Sequence, residues 1–185
     1  MENKTITDIL ERRSCRRFDP EKMPTEEQIL QMLECGKYAA NGCGFQNTKM
    51  LVVTNRELRD QISRMNADIW GKNTDPNIGK PVFDPFYGAP MMIIVLAKAG
   101  WRNAPYDGAL VMGNLMLAAH ALALGTCWIH RAKEEFNSEE GRAILHDLGI
   151  EGDYEGIGHC IIGYPTDTQQ PTPRPRKDDY VVWVK

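Results

Sequence analysis

A chain of 185 residues with 42% hydrophobic residues fits one globular domain, and its net charge of −3 argues against binding a polyanion over its whole surface. Its five cysteines are odd in number and lack CxxC or Cys/His metal spacing, so we expect reduced thiols, no metal site and a cytoplasmic protein. The N-terminal residues contain no long apolar segment, and we therefore expect no signal peptide.

The N-terminal part of the chain predicts two helices and a polar turn. Apolar residues recur at helical spacing after Thr5, which is the expected cap of a short first helix. Thr25 and Gln28 have the spacing of a capping box, and the second helix should run to about Ala39. The polar turn follows at residues 41–47.

Four arginines lie within six residues directly after the first helix. Arg12, Arg13, Arg16 and Arg17 repel one another, and a bound anion would relieve that repulsion. A phosphate suits the rigid fork of arginine, so a small phosphorylated ligand is the favoured interpretation. A solvated charged face and a nucleic-acid site are the alternatives, although the neighbouring sequence lacks the further basic and aromatic residues that nucleic acid would require.

The turn at residues 41–47 combines two glycines with polar side chains. Gly42 and Gly44 allow a close approach of the backbone to a ligand or a positive φ angle. Asn41 and Gln46 can donate and accept hydrogen bonds. The pattern alone is an ordinary turn signal.

Continuous apolar runs predict the strands. The third of them carries His159 and Cys160, which lack partners at metal spacing and are expected to serve the core or a sheet edge. Three core strands separated by helices, with one terminal strand, predict a mixed sheet covered by helices. The predicted strands are 50–53, 91–97, 157–163 and 180–184.

Further helices lie between these strands, capped by Asn55 and Ser138. A long apolar helix is predicted from Asp107, as N-cap, to Gly125, as its end. From 109 to 125 it is apolar almost all round and spans roughly 25 Å, close to the lower limit for a membrane span. Its Ala, Gly, Asn and His content favours instead a core helix buried on both sides.

The stretch from residue 70 to residue 90 has no sustained periodicity and is rich in aromatic residues. A loop of this length in a small domain is usually functional or disordered. The aromatic residues favour a lid over a substrate pocket, with Trp70 and Phe86 as substrate contacts, over a simple packing loop.

Four segments in order resemble the FMN-dependent nitroreductase superfamily, over nearly the whole chain. The match rests on the arginine-rich stretch, which resembles the signature RRSxRxF, and on three later segments. The four segments are 12–18, 40–46, 107–129 and 163–177.

The resemblance implies a single domain over residues 1–185. Its fold would be an α+β three-layer sandwich with a mixed or antiparallel central sheet, and two chains would build two FMN sites at their interface. Residues 171–185 would extend to the partner subunit. The implied cofactor contacts are Arg12, Arg13, Ser14, Arg16, Asn41, Gly42, Gly44, Gln46, Asn66, Ile129, His130, Arg174 and Arg176.

Roles for these residues follow from the same resemblance. Arg12 and Ser14 match positions that hold the phosphate and the ribityl chain, and Arg174 and Arg176 match positions that also reach the phosphate. Arg16 matches a basic position near N1 and O2 of the ring, where it would stabilise the charge left by reduction. The turn containing Asn41 would come from the other subunit.

The implied function is reduction of nitroaromatics, quinones or similar small molecules by NAD(P)H through a ping-pong mechanism. The flavin would be the reactive centre, without a catalytic triad. The implied partners are a small substrate and a second copy of the chain, with neither nucleic acid nor membrane. The alternatives are another flavin reaction on this scaffold, such as oxidation or reductive dehalogenation, a non-catalytic FMN protein, and a basic nucleic-acid binder.

Overall fold

The computed structural model describes residues 3–71, 83–166 and 172–185. A four-stranded sheet with the order β1-β2-β4-β3 forms its centre, and each neighbouring pair of strands is antiparallel. The strands are β1 Thr48–Val53, β2 Met91–Lys98, β3 Gly125–Ile129 and β4 Tyr154–Gly163.

Helices cover both faces of this sheet. The α2 and α4 helices pack on one face, and α3, α5 and α6 pack on the other. This arrangement confirms the predicted α+β three-layer sandwich. The helices are α1 Lys4–Glu11, α2 Glu26–Lys37, α3 Arg56–Ile69, α4 Ala104–Ala121, α5 Ala132–Asn137 and α6 Glu139–Asp147.

Strand β2 separates the two cores. Residues 91–97 are completely buried, and successive side chains of a strand point to opposite faces. The odd-numbered residues from 91 to 95 therefore pack against α2 and α4, while the even-numbered residues from 92 to 96 pack against α3, α5 and α6. A strand that is buried on both faces explains the continuous apolar run in the sequence.

Most of the predicted helix starts are confirmed. Thr25 and Gln28 form the capping box of α2, and Asn55 and Ser138 cap α3 and α6 through their side chains. The predicted cap of α1 is wrong, because the side chain of Asn3 rather than Thr5 accepts a hydrogen bond from the first turn.

The boundaries predicted for the long helix α4 are wrong at both ends. The helix begins at Ala104, so Asp107 lies inside its first turn, and Asn103 is the N-cap residue. It ends at Ala121 because Ala123 takes a left-handed conformation with φ +59°. Gly125, the predicted stop, is instead the first residue of β3.

The sheet has four strands, as predicted, but one of them was placed wrongly. The strand Gly125–Ile129 (β3) was not predicted, and the predicted strand 180–184 is not part of the sheet. Within residues 172–185 every residue is exposed, and the side chains of 181–184 are 65–94% accessible. An extended apolar segment gains no burial where it has no sheet or helix to pack against.

In the single chain α4 is buried on one side only, and burial of its second side stays a prediction that requires a partner chain. Val111, Leu115 and Ala119 are buried against the sheet, whereas Tyr106 and Leu110 on the outer face are 70% and 49% exposed. Among the described residues, none of the helices combines the length and the apolar character that crossing a bilayer requires.

His159 and Cys160 belong to the core, as the sequence analysis favoured, and neither is accessible to solvent. The ring nitrogen Nε2 of His159 lies 2.7 Å from Oε2 of Glu135, which is equally buried. Burial raises the pKa of the Cys160 thiol, so this cysteine stays protonated. All five cysteines are free thiols.

Candidate functional site

The arginine-rich segment lies along the free edge of β3. Ser14 forms a parallel bridge with Thr126, and the backbone N–H of Cys15 donates to the carbonyl oxygen of Thr126 at 2.8 Å. Gly125 permits this approach, because a Cβ atom there would lie 2.8 Å from the side chain of Cys15. The sheet thus fixes the position of the predicted phosphate-binding arginines.

The side chains of Arg12 and Arg13 have different hydrogen-bond partners. Arg13 donates through Nη1 to the carbonyl oxygens of Leu10, at 2.6 Å, and Arg12, at 2.8 Å, so its side chain secures the end of α1. The Nη1 atom of Arg12 is buried, and no described residue accepts a hydrogen bond from it. A buried cationic donor without an acceptor is costly, and an anionic ligand would satisfy it.

A row of side chains connects Arg16 to the turn between β3 and α5. The guanidinium of Arg16 lies 5.9 Å from the ring centre of Tyr87, and Phe83 lies between the rings of Tyr87 and Trp70 at 5.8 and 5.2 Å. The guanidinium of Arg131 then covers Trp70 at 4.5 Å. We call these five residues the arginine–aromatic row.

Asp84 anchors the segment that supplies Phe83 and Tyr87. Its carboxylate accepts hydrogen bonds from the Ser63 hydroxyl at 2.7 Å and from the Gly88 N–H at 2.7 Å, and it pairs with Arg59 of α3. Burial alone would raise the pKa of Asp84, but the charge of Arg59 and these hydrogen bonds outweigh burial and hold the pKa below its usual value.

The two predicted substrate contacts have different surroundings. Trp70 is 43% exposed, whereas Phe86 is fully buried between Arg59 and His159, with ring-centre distances of 5.6 and 5.1 Å. Phe86 therefore belongs to the core, and its prediction as a substrate contact is wrong. Residues 72–82 of the predicted lid lie outside the described residues.

A buried polar network holds the turn between β3 and α5. The side-chain amide of Asn66 donates to the carbonyl oxygen of His130 at 2.8 Å and to the carboxylate of Glu135. Arg131 donates to Oδ1 of Asn66 at 3.4 Å. Asn66 is completely buried in the single chain and positions the turn, and its contact with a cofactor stays a prediction.

The 41–47 turn is secured by Asp107, whose role the sequence analysis missed. One carboxylate oxygen of Asp107 accepts from the Gly42 N–H at 2.8 Å, and the other accepts from Nε1 of Trp101 at 2.9 Å. Oδ1 of Asn41 accepts from the Gln46 N–H at 3.0 Å. Gly44 takes a positive φ angle of +67°, as do Cys43 (+56°) and Gln46 (+51°), whereas Gly42 does not.

The 41–47 turn and the arginine-rich segment lie at opposite corners of the sheet. The turn leads into Thr48 at the β1 edge, opposite Ala97, whereas Ser14 lies beyond β3, in the row of Thr126 and Ile162. Strand spacing and rise per residue place these corners roughly 25–30 Å apart. The structure of one chain therefore does not unite the two predicted groups of cofactor contacts.

The remaining predicted contacts fall into two groups. Ile129 is buried at the end of β3, and His130 is exposed directly after it, with its ring centre 5.7 Å from that of Trp128. Arg174 and Arg176 lie in the exposed segment 172–185, and no described hydrogen bond or ion pair joins them to Arg12. Within the described ranges, no group of three or more His, Cys, Asp or Glu side chains is arranged to hold a metal.

The family model described as "Nitroreductase family" matches residues 9–164. The chain belongs to this family. A Methanothermobacter thermautotrophicus protein named "Putative NADH dehydrogenase/NAD(P)H nitroreductase" is 30% identical over 131 residues, which cover 65% of this chain and 60% of that relative.

Solved structures from the same family share the fold over the full length of both chains. A nitroreductase with bound FMN from Bacteroides fragilis NCTC 9343 has a TM-score of 0.87 and 24% identity, with 100% of each chain covered. A nitroreductase with bound FMN from Desulfitobacterium hafniense DCB-2 has a TM-score of 0.84 and 26% identity, again with 100% of each chain covered.

Replacement of Asp84 by Asn should lower the free energy of unfolding at neutral pH by about 2 kcal/mol, because Arg59 loses a charged hydrogen bond to its less exposed carboxylate partner and keeps only Asp60. The lowered pKa of Asp84 means that its carboxylate contributes stability above its ordinary pKa of 3.8, and this contribution is lost as the pH falls through the lower folded-state value. Urea unfolding from pH 7 to pH 3 measures this effect. The free energies of unfolding of the wild type and of Asp84→Asn should approach each other below about pH 4. A constant difference across that range would contradict the assignment, and Asp68→Asn on the exposed surface of α3 is the control.

Proposed function

We propose that this chain is an FMN-dependent oxidoreductase that takes electrons from NAD(P)H and reduces nitroaromatics, quinones or similar small molecules. The observation that carries the proposal is the buried Nη1 atom of Arg12, which has no acceptor among the described residues. It lies on a basic segment held against β3, in a chain that belongs to the nitroreductase family. The FMN bound in the two related structures and the NAD(P)H in the name of the relative support the same choice.

The residues of the basic segment fit a flavin phosphate. Arg12 supplies a charged donor whose acceptor is missing, and Ser14 adds a hydroxyl on the same edge of the sheet. Charge-assisted hydrogen bonds from guanidinium groups to phosphate are among the stronger polar interactions in proteins. Arg174 and Arg176 complete the phosphate site from the C-terminal segment, with FMN rather than FAD as the cofactor because these groups close around one phosphate.

Bound FMN supplies the two-electron redox chemistry, and the protein supplies binding, orientation and electrostatics. Arg16 is exposed beside Tyr87 and places a fixed cation near the ring, where it offsets the negative charge left by reduction. The backbone of Ile129 and His130 borders the reactive edge. Asn66 and Glu135 keep that backbone in place through the buried network.

The reaction is ping-pong because donor and acceptor use one cleft beside the arginine–aromatic row in turn. The hydride of NAD(P)H would pass to bound FMN, and the nucleotide would then leave as NAD(P)⁺. The oxidised substrate then takes two electrons and two protons, so a nitro group becomes a nitroso group and water, or a quinone becomes a hydroquinone. Trp70, half exposed on the row, contacts the aromatic part of the substrate.

The functional unit is a homodimer, and the sheet geometry is the main support. The 41–47 turn and Arg12 lie at opposite corners of one chain, so a second chain is required to bring Asn41, Gly42, Gly44 and Gln46 to the cofactor. The outer face of α4 also leaves Tyr106 and Leu110 exposed. The apolar segment 180–184 is also exposed in the single chain, and packing on a partner subunit would bury it.

An anaerobic titration tests the function directly. Purified protein should show flavin absorbance, NAD(P)H should bleach it under argon, and a quinone should restore it. Bleaching without recovery on addition of nitroaromatics or quinones would indicate another flavin reaction. A flavin that NAD(P)H does not bleach would indicate a binding protein without turnover, and protein without bound flavin would reject the proposal.

The Arg12→Ala variant should bind FMN about tenfold to a hundredfold more weakly, since a charged hydrogen bond contributes about 1.5–3 kcal/mol. Fluorescence titration of the apoprotein with FMN and with riboflavin measures the effect. Only FMN affinity should fall, because riboflavin lacks the phosphate. Arg56→Ala, at the exposed start of α3, is the matched control. Wild-type FMN affinity in Arg12→Ala would remove Arg12 from the phosphate site.

The Leu110→Arg variant should produce a folded monomer with little bound FMN. Leu110 is 49% exposed in the single chain, so arginine is tolerated by the monomer but introduces a charge into the interface, where each buried leucine contributes roughly 1.5–3 kcal/mol. Light scattering gives the mass, and absorbance gives the flavin content. Leu148→Arg, at a residue 45% exposed after α6, should remain a yellow dimer. A dimeric Leu110→Arg protein would contradict this interface.

A further inference from the structure

We infer that Arg131 selects substrates that carry an anionic group, such as a carboxylate, on an aromatic ring. The inference rests on the proposed function and adds a substrate class to it. It depends on three features of Arg131: its backbone conformation, the support of its side chain, and its lack of a counter-charge.

The backbone of Arg131 takes a conformation that long side chains rarely adopt. Its φ angle is +80°, in the left-handed region, at the residue preceding α5. Such a conformation costs free energy and persists only when the surrounding structure enforces it. Here the buried Asn66 holds the adjacent carbonyl oxygen of His130 at 2.8 Å, so the turn cannot relax without breaking a buried hydrogen bond.

The side chain of Arg131 is supported on both sides. Its guanidinium lies 4.5 Å from the ring centre of Trp70, and its Nη1 atom donates to Oδ1 of Asn66 at 3.4 Å. A guanidinium stacked on an indole loses less freedom on binding a ligand than a mobile one does. The guanidinium is therefore held in one place beside Trp70.

No carboxylate oxygen of the described residues lies within ion-pair distance of this guanidinium. Glu135 is a buried acidic residue four positions after Arg131, and its carboxylate contacts His159 and Asn66 instead. Arg59, by contrast, pairs with Asp60 and Asp84. Arg131 is thus a fixed cation whose remaining donors are free to bind an external anion.

The arginine–aromatic row explains why that anion should be attached to an aromatic ring. From Arg131 the row continues through Trp70 and Phe83 to Tyr87, with ring centres 5.2 and 5.8 Å apart. A planar ring can pack along these faces and edges while its carboxylate accepts two parallel hydrogen bonds from the guanidinium. A neutral ring of the same shape gains the packing but not the charged hydrogen bonds.

The test compares two substrates that differ mainly in charge, 4-nitrobenzoate and 4-nitrobenzyl alcohol, with the flavin-loaded dimer. We expect Arg131→Met to lower kcat/KM for 4-nitrobenzoate about tenfold or more, and for the alcohol less than about twofold, because methionine keeps much of the packing but removes the charge. Arg131→Lys should recover part of the preference. Arg142→Met, at an exposed residue of α6, should leave both substrates unchanged.

A binding measurement makes the inference independent of turnover. Calorimetry with benzoate, which cannot be reduced, should show binding to the wild type that weakens about tenfold in Arg131→Met and is unchanged in Arg142→Met. If the protein binds benzoate in this way but turns over no nitroaromatic, the proposed function fails and the anion site stands.

Three results would overturn the inference. Equal losses for the acid and the alcohol in Arg131→Met would indicate a role in packing alone. Unchanged kinetics and unchanged benzoate binding would show that Arg131 does not contact substrate. In Arg131→Met, kcat/KM could fall for NADPH alone and stay unchanged for NADH and 4-nitrobenzoate. That result would show that Arg131 binds the 2′-phosphate of the nucleotide instead of the substrate.

Discussion

The antiparallel pairing of β2 with β4 is the constraint on which the rest of the structure depends. Both strands are central, and β2 is buried on its two faces, so the sheet requires a helical layer on each side. The same pairing separates the edge at β1 from the edge at β3. The 41–47 turn leads into β1, and the arginine-rich segment lies beside β3. The sheet therefore holds the two halves of the proposed cofactor site apart in one chain.

A second constraint is the polar network beneath the turn between β3 and α5. His159, Glu135 and Asn66 are completely buried, and they connect the centre of β4 to the carbonyl oxygen of His130. Buried polar groups stabilise a unique arrangement only when their partners are in place, because a lost partner leaves an unsatisfied group inside the protein. This requirement explains how a strained residue, Arg131, is held at the border of the proposed cleft.

Much of the fold could be predicted from local patterns. The helix caps, the apolar strand runs and the family signature are properties of short segments, and they predicted α2, α3, β1, β2, β4 and the three-layer sandwich correctly. The boundaries of α4 and the position of the fourth strand failed. Asp107 resembles a helix cap in sequence, but its carboxylate binds the 41–47 turn. The strand 125–129 directly continues the apolar pattern of α4, so the sequence did not separate the two elements.

The sequence by itself determined the family of this chain, its layered α+β fold and the basic segment around Arg12, because these depend on residue type and spacing along the chain. Only the tertiary structure decided which polar side chains remain available to bind a ligand. It buried Asn66 and Phe86, paired Asp84 with Arg59, and left the donors of Arg12 and Arg131 without a described counter-charge. The physical reason is that burial and pairing depend on residues distant in sequence, which periodicity does not encode.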